Sequence, residues 1–511
     1  MKARHTILLI ALLAGIALRV FALDRLPGIN ADEAWYGVNV EAFLDGETPF
    51  LRTGVGNPLN PLHSLPLLAL SFVLAPSLAL LRVPSVIWGV AAMLFAFPLL
   101  ARPLGQRAAM LAALLLSILP AAVAYSRLGW DPSDTPAVAL LAVGYALGNR
   151  PLPAAIALLV AMAVHPTNVF LAPIVALSWA PFALAHYRSA SRRRRRIVQV
   201  IAVVLLALPL VLAFILRNSI GPETSLPSIA VVIARLTSPG AWLDLMLGVL
   251  RLFSGVTMAR YIGGPVADTP AVLADIVTLM AFAVPIVLGW KAFAGNSGKG
   301  PWLLAGIAAS LLAFHLVAGP EGLQPGRERY GMFLLSPLVI LCAIGLAALA
   351  EPAPRASFAL TVLVFSTSLA VLIGGYFAPL IRRGGDTHPA FRTGHAEPKA
   401  AAYQFIKNAS GADNVEVIAE DWWLYWPLKY LASRDQHVFV SIMPDAAVPG
   451  GLRPAGAPVP APPLNPRKRF AVVFEGGSAW SRRRSEDTRV FSALDPIGRP
   501  ILHVLELADE R

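Results

Sequence analysis

Two adjacent carboxylates, Asp32 and Glu33, lie just beyond the first apolar stretch of this 511-residue chain, in Ala31-Asp32-Glu33-Ala34-Trp35-Tyr36-Gly37. Paired acids at a membrane surface, backed by aromatics, suit a group that takes a proton or holds a cation beside a lipid-borne substrate. The plainer reading is a solvated loop with two ordinary acids. Other polar stretches weigh against it. The same loop continues through Glu41, Asp45 and Glu47 to Asn57-Pro58-Leu59-Asn60-Pro61-Leu62-His63. A second stretch is Tyr125-Ser126-Arg127-Leu128-Gly129-Trp130-Asp131-Pro132-Ser133-Asp134, and a third is His165-Pro166-Thr167-Asn168. A late one holds Glu321, Gln324, Arg327, Glu328, Arg329 and Tyr330. On one membrane face, acids from two loops and cations from two others can enclose an anionic headgroup and leave a carboxylate free as base. Each has a structural alternative. Arg127 can pair with Asp131 at a helix end, His165 can be an interfacial hydrogen-bond donor, and the late cluster can be snorkelling anchors.

The elements that must position these residues are membrane spans. Hydrophobic residues make up 56% of the chain and charged residues 14%, against about 25% charged in ordinary soluble domains. This is a polytopic membrane protein. Residues 6–23 are long enough to cross, and with no small-x-small cleavage site after them they read as a retained helix. The single cysteine, Cys342, excludes a disulfide framework and a cysteine-based metal site. The net charge of +12 sits largely where the positive-inside rule wants it, notably in the run Arg192–Arg196. Without aromatics interleaved on a soluble domain, that run does not point to nucleic acid.

Residues 64–81, broken by Pro66 and Pro76, read as an interfacial or re-entrant helix, because that choice puts Arg102 and Arg107 inside. Residues 83–101 and 108–124 then cross, leaving 125–136 and His165 outside and Arg150 inside. Residues 197–216 return outward to a long external segment, in which 241–256 lies on the interface. Residues 271–290, 302–318, 330–349 and 357–377 are further crossings. The total is about eleven spans with the C-terminus outside. From residue 381 apolar runs shorten to strand length, at 415–419, 437–441, 470–474 and 501–507, with a helical pattern at 398–408. The fold class is therefore a polytopic α-helical membrane domain over 1–380 and a small extracytoplasmic α/β domain over 381–511. The stretch 444–466, rich in proline and alanine, is an insertion or linker.

The ordered set of motifs resembles a family. The elements are an anchor span, Asp32-Glu33 with Tyr36 three residues on, and Asn57-Pro58-Leu59 leading to Leu62-His63-Ser64-Leu65-Pro66. Leu81-Arg82-Val83-Pro84-Ser85, Leu100-Ala101-Arg102-Pro103-Leu104-Gly105, Tyr125-Ser126-Arg127 followed by Asp131, and Arg329-Tyr330 heading a span with Pro337 complete it. Together they resemble the protein mannosyltransferase and aminoarabinose transferase superfamily, GT-C glycosyltransferases that use polyprenyl-phosphate sugars. The resemblance covers roughly residues 5–350. The chain departs from it at His165-Pro166, where many relatives have Lys-Gly or Lys-Pro, and at His63-Ser64, where relatives often have two aromatics. No motif of the C-terminal domain is matched.

The resemblance implies that Asp32 is the catalytic base or acceptor-orienting carboxylate, that Glu33 shapes its field, and that Asp131 is a second acid holding acceptor or sugar. Arg127, His165 and Arg329 would neutralise charge on the departing polyprenyl phosphate, Tyr330 would donate to a phosphate oxygen, and Tyr36 and His63 fall among the substrate-binding positions. A polyprenyl phosphate leaves readily, so no metal is obligatory, although the acid-rich first loop has room for a divalent cation. The implied partners are a polyprenyl-phosphate-sugar donor, a protein, lipid or polysaccharide acceptor, and membrane lipid, in the plasma (inner) membrane. The competing class is a transporter or flippase of a lipid-linked glycan, which should show inverted repeats and mid-span ionisable residues. An oligosaccharide polymerase or ligase shares the donor class but lacks the early Asp-Glu loop as its hallmark.

Overall fold

The computed structural model describes residues 2–47, 60–189, 196, 227–256, 269–295, 300–324, 327–382, 399–442, 468–474, 489–494 and 500–507, and counts refer to these. Arg192–Arg195, the crossing expected at 197–216, the Asn57-Pro58-Leu59 motif and the stretch 444–466 lie outside the described residues.

Helix α1 (Lys2–Val20) is followed by a short turn and by α2 (Ala31–Leu44), the helix that begins with the acidic pair. A capping box starts α2: the Asn30 side chain accepts a first-turn N–H while the Glu33 carboxylate accepts from the Asn30 backbone N–H. Both acids thus occupy the first turn, where the helix dipole favours negative charge. Helix α3 (Pro61–Ser71) is capped by Asn60, and α4 (Leu78–Leu104) by Ser77. The apolar run expected as one interfacial helix over 64–81 is therefore split. Its last residues start α4, because Ser77 caps a new helix directly after Pro76. Leu65, Phe72, Val73 and Leu74 remain exposed on and after α3, as suits a helix lying against lipid.

Helix α4 turns at Gly105 (φ +84°) into α5 (Gln106–Ile118), and Pro120 starts α6 (Pro120–Tyr125). A 3-10 turn at Asp131–Asp134 leads into α7 (Thr135–Leu147), then α8 (Pro151–Val164), a 3-10 turn at Pro166–Phe170, and α9 (Leu171–Ser189). The segment expected at the interface forms α11 (Pro239–Ser254), bent 80° from α10 (Ile229–Thr237). Helices α12 (Thr269–Ala294) and α13 (Gly300–Val317) precede a 3-10 turn at Glu328–Leu334 that runs into α14 (Leu335–Ala348). Helix α15 (Pro354–Leu372) continues through a π turn, Ile373–Phe377, to α16 (Ala378–Arg382). Five of the described helices are long and apolar enough to cross a bilayer, six if the bent pair counts as one.

The C-terminal part holds α17 (Lys399–Ser410), β1 (Val415–Ala419), α18 (Trp422–Leu431), β2 (Val438–Ile442), β3 (Lys468–Phe474), β4 (Arg489–Leu494) and β5 (Pro500–Leu507). The strand order is β2-β1-β3-β5-β4, parallel across β2, β1 and β3 and antiparallel from β3 to β5 and β4. Helix α18 rests on α2. Trp35 meets Trp422 and Trp426, each with ring centroids 6.4 Å away. The Tyr430 hydroxyl donates to the Ser77 carbonyl (3.2 Å) and accepts from the Ser77 N–H (3.1 Å). Lys399 Nζ points at the Ile29 carbonyl, one residue before the α2 cap, at 3.5 Å. The sheet domain thereby braces the helix bearing Asp32.

Gly37 permits that contact. A Cβ there would sit 2.3 Å from the Tyr430 ring and 2.6 Å from Leu81 Cδ2. Gly37→Ala is expected to cost about 1–3 kcal/mol by overpacking, read as a lowered Tm in detergent. An unchanged Tm would show that α2 and α18 are not locked together.

Candidate active site

Four loops converge on Asp32. Its carboxylate accepts a hydrogen bond from Arg329 (3.1 Å), which enters from the 3-10 turn ahead of α14. A second nitrogen of the same guanidinium donates to the Tyr330 hydroxyl at 3.1 Å. The guanidinium carbon lies 5.4 Å from the centre of the Trp130 ring and 5.0 Å from that of Tyr330. Arg329 is buried and Asp32 about a quarter exposed. The pair therefore stands at a mouth, with its cation on the inner side.

Glu33, the other acid of the pair, does different work. It is fully buried and accepts two hydrogen bonds from Arg82, at 2.7 and 3.0 Å, and a third from the Gly129 N–H at 2.9 Å. Arg82 directs its remaining donors to the carbonyls of Leu23, Pro27 and Gly28. Gly129 must lack a side chain here, since a Cβ would lie 2.4 Å from the Leu81 carbonyl oxygen. Glu33 thus ties the first polar loop to the second, and the forked pair makes it a positioning group.

The second loop brings Asp131 and Asp134 to the same place. Asp131 lies near Tyr36, Arg329 and Asp32. Burial pushes its carboxyl up to about 7, against the pull of Arg329 and with a further push from Asp134 and Asp32. Tyr36 is driven well above the usual phenol range by burial and then by Asp131, Asp134 and Asp32. Asp134 is fully buried, accepts from Asn60 (2.9 Å), and has His63 Nδ1 at 3.8 Å. Burial raises it, while His63 and Asn60 oppose. The His63 ring meets the Tyr36 ring edge-on, with centroids 4.8 Å apart.

His165 sits at the end of α8 with its ring centre 6.0 Å from that of Tyr330. Its Nδ1 accepts from the Thr167 N–H, so the hydrogen is on Nε2. Burial, and then Arg329, lower it to about 3, so it is a neutral donor at physiological pH.

Of the residues picked out by sequence, the fold brings Asp32, Asp131, Tyr36, His63, Arg329, Tyr330 and His165 around one site, with Glu33 behind it. Arg127 is not brought there. It is fully buried at the C-terminal end of α1 and donates to the carbonyls of Leu18, Arg19, Phe21 and Leu26, with Phe377 under its guanidinium. Those contacts satisfy carbonyls that the helix end leaves open, and no pairing with Asp131 is needed. Asn60, Asp134 and Trp130 line the site without having been singled out. The three-residue spacing of Asp131 and Asp134 beside Pro132 was the available signal, because a 3-10 turn places such residues on one face. Among the described residues no group of three or more His, Cys, Asp or Glu is placed to hold a metal ion.

No protein family and no curated protein matches the sequence. Solved structures match its fold. An oligosaccharyltransferase of Archaeoglobus fulgidus, in complex with zinc and sulfate, aligns with a TM-score of 0.51 at 15% identity over 84% of this chain and 61% of its own. Archaeal oligosaccharyltransferase AglB from the same organism, with an inhibitory peptide and a dolichol-phosphate, gives 0.51 at 15% identity over 86% and 64%. The chain thus spans less than two thirds of those proteins. ArnT from Cupriavidus metallidurans bound to undecaprenyl phosphate gives 0.53 at 13% identity over 99% of this chain and 98% of its own. The fold that the motif resemblance leads one to expect is the one observed.

Proposed function

We propose that the protein is an integral membrane glycosyltransferase, moving a sugar from a polyprenyl-phosphate donor to an acceptor at the extracytoplasmic face. The observation that carries the reading is the Asp32–Arg329 pair beside Asp131, assembled from separate loops at the ends of apolar helices. The shared fold supports the donor class, since two of the similar proteins hold dolichol-phosphate and undecaprenyl phosphate. In this reading residues 1–380 make about eleven crossings of the plasma (inner) membrane, and 381–511 form an extracytoplasmic domain.

The chemistry is an inverting displacement. Asp32 takes the proton of the acceptor nucleophile, or aligns it, as the acceptor bonds to the sugar C1 and the C1–O bond to phosphate breaks. The bonding pair leaves on the phosphate oxygen. Arg329 moves its hydrogen bonds from Asp32 to the donor phosphate, which frees the carboxylate and neutralises the charge that develops. Tyr330 and the Nε2–H of His165 are the further donors, and Asp131 with Tyr36 holds the acceptor or sugar. With so good a leaving group no metal is obligatory, and a divalent cation brought to the acidic loop would add charge neutralisation. Arg127 takes no part in this group.

A transporter or flippase is disfavoured by where the charges lie. The buried guanidiniums of Arg19, Arg82 and Arg127 are directed to backbone carbonyls and Glu33, not to a central pathway. The test is native mass spectrometry of the protein in nanodiscs titrated with undecaprenyl phosphate or undecaprenol. Retention of the phosphate form over the alcohol is expected. Equal retention of both would remove the donor class.

A further inference from the structure

Asp131 and Asp134 open and close one 3-10 turn, Asp131–Asp134, and a spacing of three in such a turn stacks side chains one above the other. Asp134 is also the cap residue of α7, yet its side chain makes no capping hydrogen bond. It turns inward instead, to the Asn60 amide at 2.9 Å and His63 at 3.8 Å, and its Oδ1 is buried with no hydrogen-bond partner. An acid that gives up its cap to lie buried and half-satisfied is costly to keep, and its position behind Asp131 offers a reason.

The charges facing this turn come from every neighbouring element. From α2 come Asp32 and Tyr36, from α3 His63 and from α4 Arg82. His165 ends α8, and the 3-10 turn at Glu328–Leu334 supplies Glu328, Arg329 and Tyr330. Arg82 is engaged by Glu33, and His165 is neutral. Asp32, Asp131, Asp134 and Glu328 therefore stand around Arg329, already paired with Asp32, and the imidazole of His63. Four buried or half-buried carboxyl groups around so few cations do not all ionise together. Asp134 receives the Asn60 donor and faces the His63 imidazole at 3.8 Å, and both favour its charged form against the burial that raises it. The rise of the Asp131 carboxyl to about 7 accords with that division.

We propose that Asp134 is a positioning residue whose fixed charge, stacked behind Asp131, keeps a proton on the Asp131 carboxyl. The site then offers an acceptor one ion-paired carboxylate, Asp32, and one acid able to donate a hydrogen bond, Asp131. Its use in transfer rests on the glycosyltransferase reading. The placement of the proton does not.

The experiment is a pH titration of the full-length protein in nanodiscs by infrared difference spectroscopy, following the protonated-carboxyl band that Asp131→Asn removes. The parent band should disappear with a midpoint of about 7. In Asp134→Asn a negative neighbour is lost and Asp131 ionises more readily, so the midpoint should fall by about one pH unit. Asn60→Ser keeps an oxygen to cap α3 but withdraws the donor from Asp134. The shared proton then favours Asp134, and the Asp131 midpoint should again fall, by less. This variant carries the test if Asp134→Asn does not fold. A parent midpoint in the ordinary carboxylate range of about 4, or a midpoint unmoved by the substitutions, overturns the proposal. If the band shifts as expected while no variant and no pH gives sugar transfer, the proton placement stands and the transferase reading falls.

Discussion

Asp32→Asn is expected to lower sugar-transfer turnover by about 10² or more, the usual scale for losing a positioned acid–base group. The substitution keeps the shape of the side chain and removes its capacity to take a proton. It also dissolves the Asp32–Arg329 ion pair, whose 3.1 Å contact holds the guanidinium. Donor binding no longer has to displace that pair, so affinity for polyprenyl phosphate should be kept or improve while the rate collapses. This split between binding and turnover is the diagnostic readout. A near-normal rate would end the base assignment and move it to Asp131. Glu33 is a poor replacement because Arg82, Gly129 and Asn30 already engage its carboxylate.

Arg329→Ala is expected to weaken donor binding and turnover together, with a loss of about 10²–10³ in rate, the scale for removing a donor aimed at developing negative charge. Two distinct nitrogens of Arg329 already reach Asp32 and Tyr330. The fork suits two phosphate oxygens, and Lys supplies the charge without the fork. Arg329→Lys should therefore restore part of the activity. Arg327→Ala should cost less, since Arg327 is exposed at the start of the same turn. Affinity and rate for the three variants in nanodiscs, with folding checked by size exclusion, decide the matter. If Arg329→Ala binds polyprenyl phosphate as the parent does, the phosphate contact belongs to His165 and Tyr330 instead.

Local pattern alone determined a good deal of this protein. Apolar length and arginine bias marked helices that form close to where they were expected, among them Leu78–Leu104, Gly300–Val317 and Pro354–Leu372. The strand at Val415–Ala419 coincides with its apolar run, because a short strand buried in the sheet writes its own apolar signature. Helix α18 was not legible. Its ten residues include Pro427 and five aromatics, a composition that argues against a helix until Asp421 caps it and α2 receives its rings.

The gathering of polar loops could be expected from residue type, but the division of labour within them could not. Glu33 and Asp32 are neighbours in sequence and point to different partners, since successive residues on a helix lie about 100° apart. One meets Arg82 in the interior and the other Arg329 at the mouth. Arg127 and Arg329 look alike as cations near aromatics, yet Arg127 reaches the open carbonyls at the end of α1. Asp134 stands at the cap of α7 yet turns to Asn60 and His63, because α3 is packed beside it. In each case the deciding quantity is which buried donor or acceptor is left unsatisfied, and that is set only when helices distant in sequence close against one another.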